Sequence, residues 1–150
     1  MGVVVRPINF DDLADAVAIL QEGSLSPEHE RPDELDSYWN AVLQTRAQRG
    51  DVLVAELDGD VVGVCQVMIF AHFQHAGESC CELESVHVRS DVRSQGVGAA
   101  MLRRVEEIAR REDCYRMQLT SRNVRTDAHR FYVANGFSDT SHGFKKSLIN

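Results

Sequence analysis

The sequence predicts a single mixed α/β (α+β) domain with a central mixed β-sheet flanked by helices. Three observations carry that expectation. β-branched runs and apolar patterns of helical period alternate in the order β-α-α-β-β-β-α-β-α-β. Asp58-Gly59 separates two of the runs and is a strong hairpin signal. The chain has 150 residues with no repeat, low-complexity tract or linker, which suits one domain over residues 1–150. A chain of that size buries roughly 68–70 % of its unfolded surface.

Val3-Val4-Val5-Arg6-Pro7 is a β-branched run closed by proline and reads as the first strand. Asn9 or Asp11 can cap the helix that follows, whose apolar positions are Leu13, Ala16, Val17 and Leu20. A polar loop from Gly23 to Pro32 leads to a second helix from Asp33 to Arg49, closed by Gly50. The runs from Val52 to Leu57 and from Val61 to Phe70 form the hairpin, and Cys81 to Val88 is the next strand. Gly96 to Arg111 is an amphipathic helix, with Val97, Met101, Val105, Ile108 and Ala109 on one face. Its other face offers Glu106/Arg110 and Glu107/Arg111 as i,i+4 pairs, a solvated surface rather than a binding patch. Tyr115 to Leu119 is a short strand, Asp127 to Asn135 a short helix closed by Gly136, and Phe144 to Ile149 a last strand.

Composition narrows the class of function. The chain is 43 % hydrophobic and 26 % charged, and its net charge of −7 argues against a nucleic-acid partner. No signal-peptide pattern opens the sequence, and no apolar run reaches the ~20 residues that span a bilayer, so the expectation is a cytoplasmic protein without membrane association. Cys65, Cys80, Cys81 and Cys114 show no CxxC spacing. His72 and His75 near Cys80 and Cys81 invite a metal reading, but nothing fixes them as a tetrahedral set, and no metal is expected.

The chemistry concentrates in Val88-Arg89-Ser90-Asp91-Val92-Arg93-Ser94-Gln95-Gly96-Val97-Gly98-Ala99. A strand ends, the chain turns, and a helix starts on glycines. Free backbone N–H groups and the helix dipole at such a start suit a phosphate or pyrophosphate, and glycines let it approach. The dinucleotide fingerprint GxGxxG is absent, because Met101 occupies its third glycine position.

Arg93-Ser94-Gln95-Gly96-Val97-Gly98 resembles the acetyl-CoA pyrophosphate motif (Arg/Gln)-x-x-Gly-x-(Gly/Ala) of the GNAT superfamily of N-acetyltransferases. Ser94 stands where many members carry glycine. Leu83 to Val88 is similar to the family's fourth strand. Asn123, followed by Ala128-His129-Arg130-Phe131-Tyr132-Val133-Ala134-Asn135-Gly136-Phe137, resembles its "N…A…FY…GF" segment. A weaker resemblance, through Arg125 to Tyr132 and His142 to Leu148, is to the aminoalkylphosphonate N-acetyltransferase branch.

The resemblance implies a sheet splayed between its fourth and fifth strands, with acetyl-CoA in the opening. Val86, His87 and Val88 would offer backbone groups to the pantetheine arm. Gln95, Gly96, Val97, Gly98 and Ala99 would hold the pyrophosphate, with Arg93 and Ser94 of the same motif also binding the cofactor. Asn123 would hydrogen-bond the cofactor arm, and Ala128 would leave a small-residue gap where the thiol can approach. Tyr132 matches the tyrosine that protonates the leaving thiolate. Strand alternation places Glu82, Glu84, Val86 and Val88 on one face, where either glutamate can take the amine proton.

The expected activity is acetyl transfer to a primary amine of a small molecule, by direct attack in a ternary complex. A protein lysine or N-terminal acetyltransferase and a non-catalytic CoA-binding regulatory domain are the alternatives, and a homodimer is open. The acids between Glu22 and Asp36 favour a cationic amine; Arg31, Arg46 or Arg49 would reverse that preference by pointing inward.

Overall fold

The computed structural model describes residues 2–149. Val4–Pro7 (β1), Asp51–Leu57 (β2), Asp60–Ala71 (β3), Ser79–Val88 (β4) and Cys114–Gln118 (β5) form one sheet in that order. The first four strands pair antiparallel, and β5 runs parallel to β4. Asp58 and Gly59 both take positive φ, 52° and 85°, the condition for a hairpin turn whose twist matches its strands. The parallel pair needs a long crossover, supplied by helix α3, Val97–Arg111.

Helices cover both faces of the sheet. On one, Val97, Met101, Leu102, Val105 and Ala109 of α3 bury against Leu53, Cys65, Val67, Cys81 and Leu83. On the other, α1 (Leu13–Gly23) and α2 (Leu35–Ala47) set Leu13, Ala16, Ile19 and Val42 against Val54, Val61 and Val64. A 3-10 turn, Phe10–Asp12, precedes α1, and the Asp12 carboxylate accepts the Asn9 N–H at 2.8 Å. Helix α4, Thr126–Ala134, follows β5. Each of these strands and helices lies within two residues of its expected bounds.

Two expectations fail. Residues 144–149 form no strand, and Phe144, Leu148 and Ile149 are 92 %, 90 % and 80 % exposed. Phe144-Lys146-Leu148 would form one face of such a strand and Lys145-Ser147-Ile149 the other. Burying either face buries a lysine, which costs more than the flanking apolar residues return. On α3, Glu106 and Arg110 pair at 2.7 Å as the spacing predicts, but Glu107 pairs with Arg104 at 3.0 Å rather than with Arg111.

Candidate active site

The β4–β5 ladder runs from Ser79↔Cys114 to Glu82↔Gln118 and ends there, while β4 continues to Val88 paired with β3. The sheet therefore opens after Glu82, which frees one edge of β4 for a ligand to pair with. This is the splay between the fourth and fifth strands.

Within the opening, Ser85 has φ 54° and the β3–β4 register slips between Val64 and Gln66. A bulge of one residue reverses which side chains face which way. Val86 and Val88 therefore pack into the α3-side core with Cys81 and Leu83. Glu82 and Glu84 stand opposite Met68 and Gln66 on the other face, where Gln66 donates to Thr45 of α2 at 3.0 Å. The expected common face for Glu82, Glu84, Val86 and Val88 is thus wrong: the bulge separates the glutamates from the valines. His87, opposite Val64, joins the glutamates' face.

His87 packs on the last residue of α1. A Cβ on Gly23 would lie 2.4 Å from His87 Nδ1, so only glycine admits the ring there. Burial first, then the nearby Arg125 charge, hold the His87 pKa below its usual range. The imidazole is neutral at pH 7. For Glu84, burial and the charge of Glu82 push the carboxyl upward, with Lys145 opposing. Both causes disfavour the charged form of the Glu84 carboxyl relative to a free glutamate.

At the start of α3, Ser94 and Gly96 take φ 66° and 83°. Serine at a left-handed position explains why glycine is the common residue at the Ser94 site of the resembled motif. The first amide spent inside α3 is that of Ala100, on the Gly96 carbonyl at 3.0 Å. The N–H groups of Val97, Gly98 and Ala99 precede the helix's first internal bond and are available to an anion. The Val97 side chain is core, so only its backbone can serve a ligand. Arg93, Ser94 and Gln95 are exposed beside these amides.

The two glycines have different reasons. A Cβ on Gly96 would meet nothing within 4 Å, so its backbone angle decides; a Cβ on Gly98 would lie 2.8 Å from the Phe131 ring. Gly98 lets α4 dock on the first turn of α3. A bulky residue at Gly98 would therefore disturb the packing of α4.

Tyr132 sits on α4 four residues after Ala128, half-buried between Phe131 and Phe137 at ring separations of 5.3 and 5.7 Å. Burial pushes its phenol above the usual range, so the hydroxyl keeps its proton at neutral pH and can give it away. A cavity of about 1060 Å³ beside β5 brings Glu82, Asn123 and Tyr132 into one lining, together with Gln118 and Thr120. Glu84 and the amides at the start of α3 lie outside that lining.

Other candidates serve packing. His72 hydrogen-bonds the Tyr115 hydroxyl, and His75 stacks on the Tyr115 ring at 4.1 Å. Among the described residues no group of three His, Cys, Asp or Glu could hold a metal. Burial raises the Cys65 and Cys81 thiols to about 12, so neither supplies a thiolate nucleophile near neutrality. Arg31 pairs with Glu34, Arg46 with Asp51 and Arg49 with Glu112, so these arginines are committed to structural ion pairs.

Sequence reasoning missed Glu22 as a structural tie. Its carboxylate accepts the Ser90 N–H at 2.7 Å, joining α1 to the turn that leads into α3. It also missed Arg125, whose Nη2 donates to the Gly23 carbonyl at 2.8 Å. Neither residue lies in a local pattern. The partners are 68 and 102 positions apart.

Known proteins share this fold. The family model described as acetyltransferase (GNAT) family matches residues 14–137. An aminoalkylphosphonate N-acetyltransferase of Salmonella typhimurium is 32 % identical over 91 residues, which cover 61 % of this chain and 58 % of that protein. Among solved structures, a transcriptional regulator from Bacillus halodurans has a TM-score of 0.90 at 28 % identity, over 98 % of this chain and all of that one. AAC(6')-Iy in complex with a CoA bisubstrate analogue has a TM-score of 0.80 at 20 % identity over the full length of both chains, a likeness of fold. No helix among the described residues is long and apolar enough to cross a membrane.

Proposed function

The chain belongs to the GNAT acetyltransferase family, and from that premise we propose that it moves the acetyl group of acetyl-CoA to a primary amine of a small molecule. The observation that carries this reading is the opened β4 edge running directly into unspent amides at the glycine start of α3. An extended pantetheine arm can pair with the edge, and a pyrophosphate can seat on the amides.

The neutral amine nitrogen attacks the thioester carbonyl carbon, and the carbon–sulfur bond breaks. Glu84 or Glu82 takes the amine proton, directly or through a water. The Tyr132 hydroxyl gives its proton to the departing thiolate and recovers one from solvent. The high thiol pKa of Cys65 and Cys81 supports direct attack over an acetyl-cysteine route.

Charge favours an acceptor with a free ammonium group in solution. Glu82 and Glu84 share the acceptor face, and Glu28, Asp33 and Asp36 lie exposed on the loop and helix beyond it. Glu34 pairs with Arg31, which offsets one of the charges expected from the acids between Glu22 and Asp36.

Thiol release from acetyl-CoA across small amines, aminophosphonates and lysine or N-terminal peptides tests the proposal. Amine-dependent release strongest with small molecules is expected. Release with peptides alone would transfer the assignment to protein acetylation. CoA binding without release on any acceptor would mark a non-catalytic CoA-binding domain.

A further inference from the structure

We propose that Arg125 is a positioning residue that holds Tyr132 in place by gripping the end of α1. The inference rests on Tyr132 as the proton donor.

Helix α4 has nine residues and no fully buried side chain, so its placement depends on few contacts. Near its C-terminal end, Phe131 seats against Gly98 at the first turn of α3. At its start, the half-buried Arg125 donates to the Gly23 carbonyl at 2.8 Å. That carbonyl belongs to the last turn of α1, where carbonyls lack helical partners and the dipole is negative, so a guanidinium is the favoured partner.

The bond spans the opening of the sheet. Helix α1 packs over β3 and β4, while α4 follows β5, and the β4–β5 ladder has already ended at Glu82. The neighbouring residue, Glu22, holds the Ser90 N–H at 2.7 Å, and Gly23 carries the close approach of His87. Two consecutive residues of α1 thus tie together the turn before α3, the bulged strand β4 and the proton-donor helix. Arg125 also lies close enough to Tyr132 to oppose the burial that raises its pKa. Loss of Arg125 would release the N-terminal end of α4 and let the Tyr132 hydroxyl move off the reacting sulfur.

The test is steady-state kinetics of Arg125→Gln and Arg125→Lys, each alone and combined with Tyr132→Phe, with thermal melts as a check on folding. Arg125→Gln should lower kcat roughly tenfold to a hundredfold, the effect of misplacing a reacting group by about 1 Å. KM for acetyl-CoA should stay within about twofold. Arg125→Lys should recover part of kcat, because an ammonium still donates to the carbonyl. In the Tyr132→Phe background, Arg125→Gln should cost less than about twofold further, since the group it positions is gone. Losses that multiply with that of Tyr132→Phe would overturn the proposal and leave the proton-donor reading intact. Wild-type kcat in Arg125→Gln would overturn it too. Full activity of Tyr132→Phe by itself would overturn the proton-donor reading, and the positioning role with it.

Discussion

Replacing Tyr132 by phenylalanine should lower kcat by roughly 10²–10⁴-fold, the usual worth of a positioned general acid, and leave acetyl-CoA affinity near wild type. The ring stays between Phe131 and Phe137 and only the hydroxyl is lost. Thermal stability should therefore change little. Because burial raises the phenol pKa, wild-type kcat should hold above neutral pH, and its alkaline limb should fall only where the phenol itself ionises. Kinetics against pH for both proteins check this. A phenylalanine variant with the wild-type rate throughout would show that Tyr132 merely packs.

The second large effect concerns the base. Glu84 must be ionised to accept a proton, and its pKa lies above the ordinary carboxylate range. The acidic limb of kcat/KM should therefore fall at a higher pH than the roughly 4.3 of an unperturbed glutamate. Glu84→Gln should remove that limb and lower the rate, while Glu82→Gln should shift it downward by deleting the neighbouring charge that raises Glu84. The double variant should lose roughly 10²–10⁴-fold, more than either single variant if one residue covers for the other through a shared water. Stability should move the opposite way for Glu84. A carboxyl whose folded pKa is raised opposes folding once pH passes its unfolded pKa, and that penalty is fully present above the folded pKa. Glu84→Gln should thus leave the protein no less stable at neutral pH. A double variant with the wild-type pH profile would exclude both glutamates as the base.

What the sequence made legible is what local pattern encodes. Helical spacing placed α1 to α3 because each buries one stripe, Gly136 marked the end of α4, and Asp58-Gly59 placed the hairpin because both residues accept positive φ. The glycines of Gly96-Val97-Gly98 marked the helix start proposed to hold the pyrophosphate. Their separate reasons, a backbone angle at Gly96 and the Phe131 ring at Gly98, needed the tertiary structure. The bulge at Ser85 was invisible because serine carries no signal for a left-handed angle, and one such residue moved Val86 and Val88 off the face assigned to Glu82 and Glu84. No strand forms over Phe144 to Ile149 because β propensity there competes with a lysine on either face, which leaves Phe144, Leu148 and Ile149 exposed. The ties of Glu22 to Ser90 and Arg125 to Gly23 join distant segments, and no spacing rule reaches that far.

Acetyl-CoA use depends on where the pyrophosphate sits, and amide chemical-shift mapping during a CoA titration reads that position directly. The amides of Gln95 to Ala99 should shift with CoA and again with its 3′-phospho-ADP portion, should stay still with pantetheine alone, and should lose the response in Gly96→Val, whose side chain is strained at φ 83°. CoA binding that shifts amides elsewhere and leaves Gln95 to Ala99 unmoved would contradict the assignment of this helix start as the cofactor site.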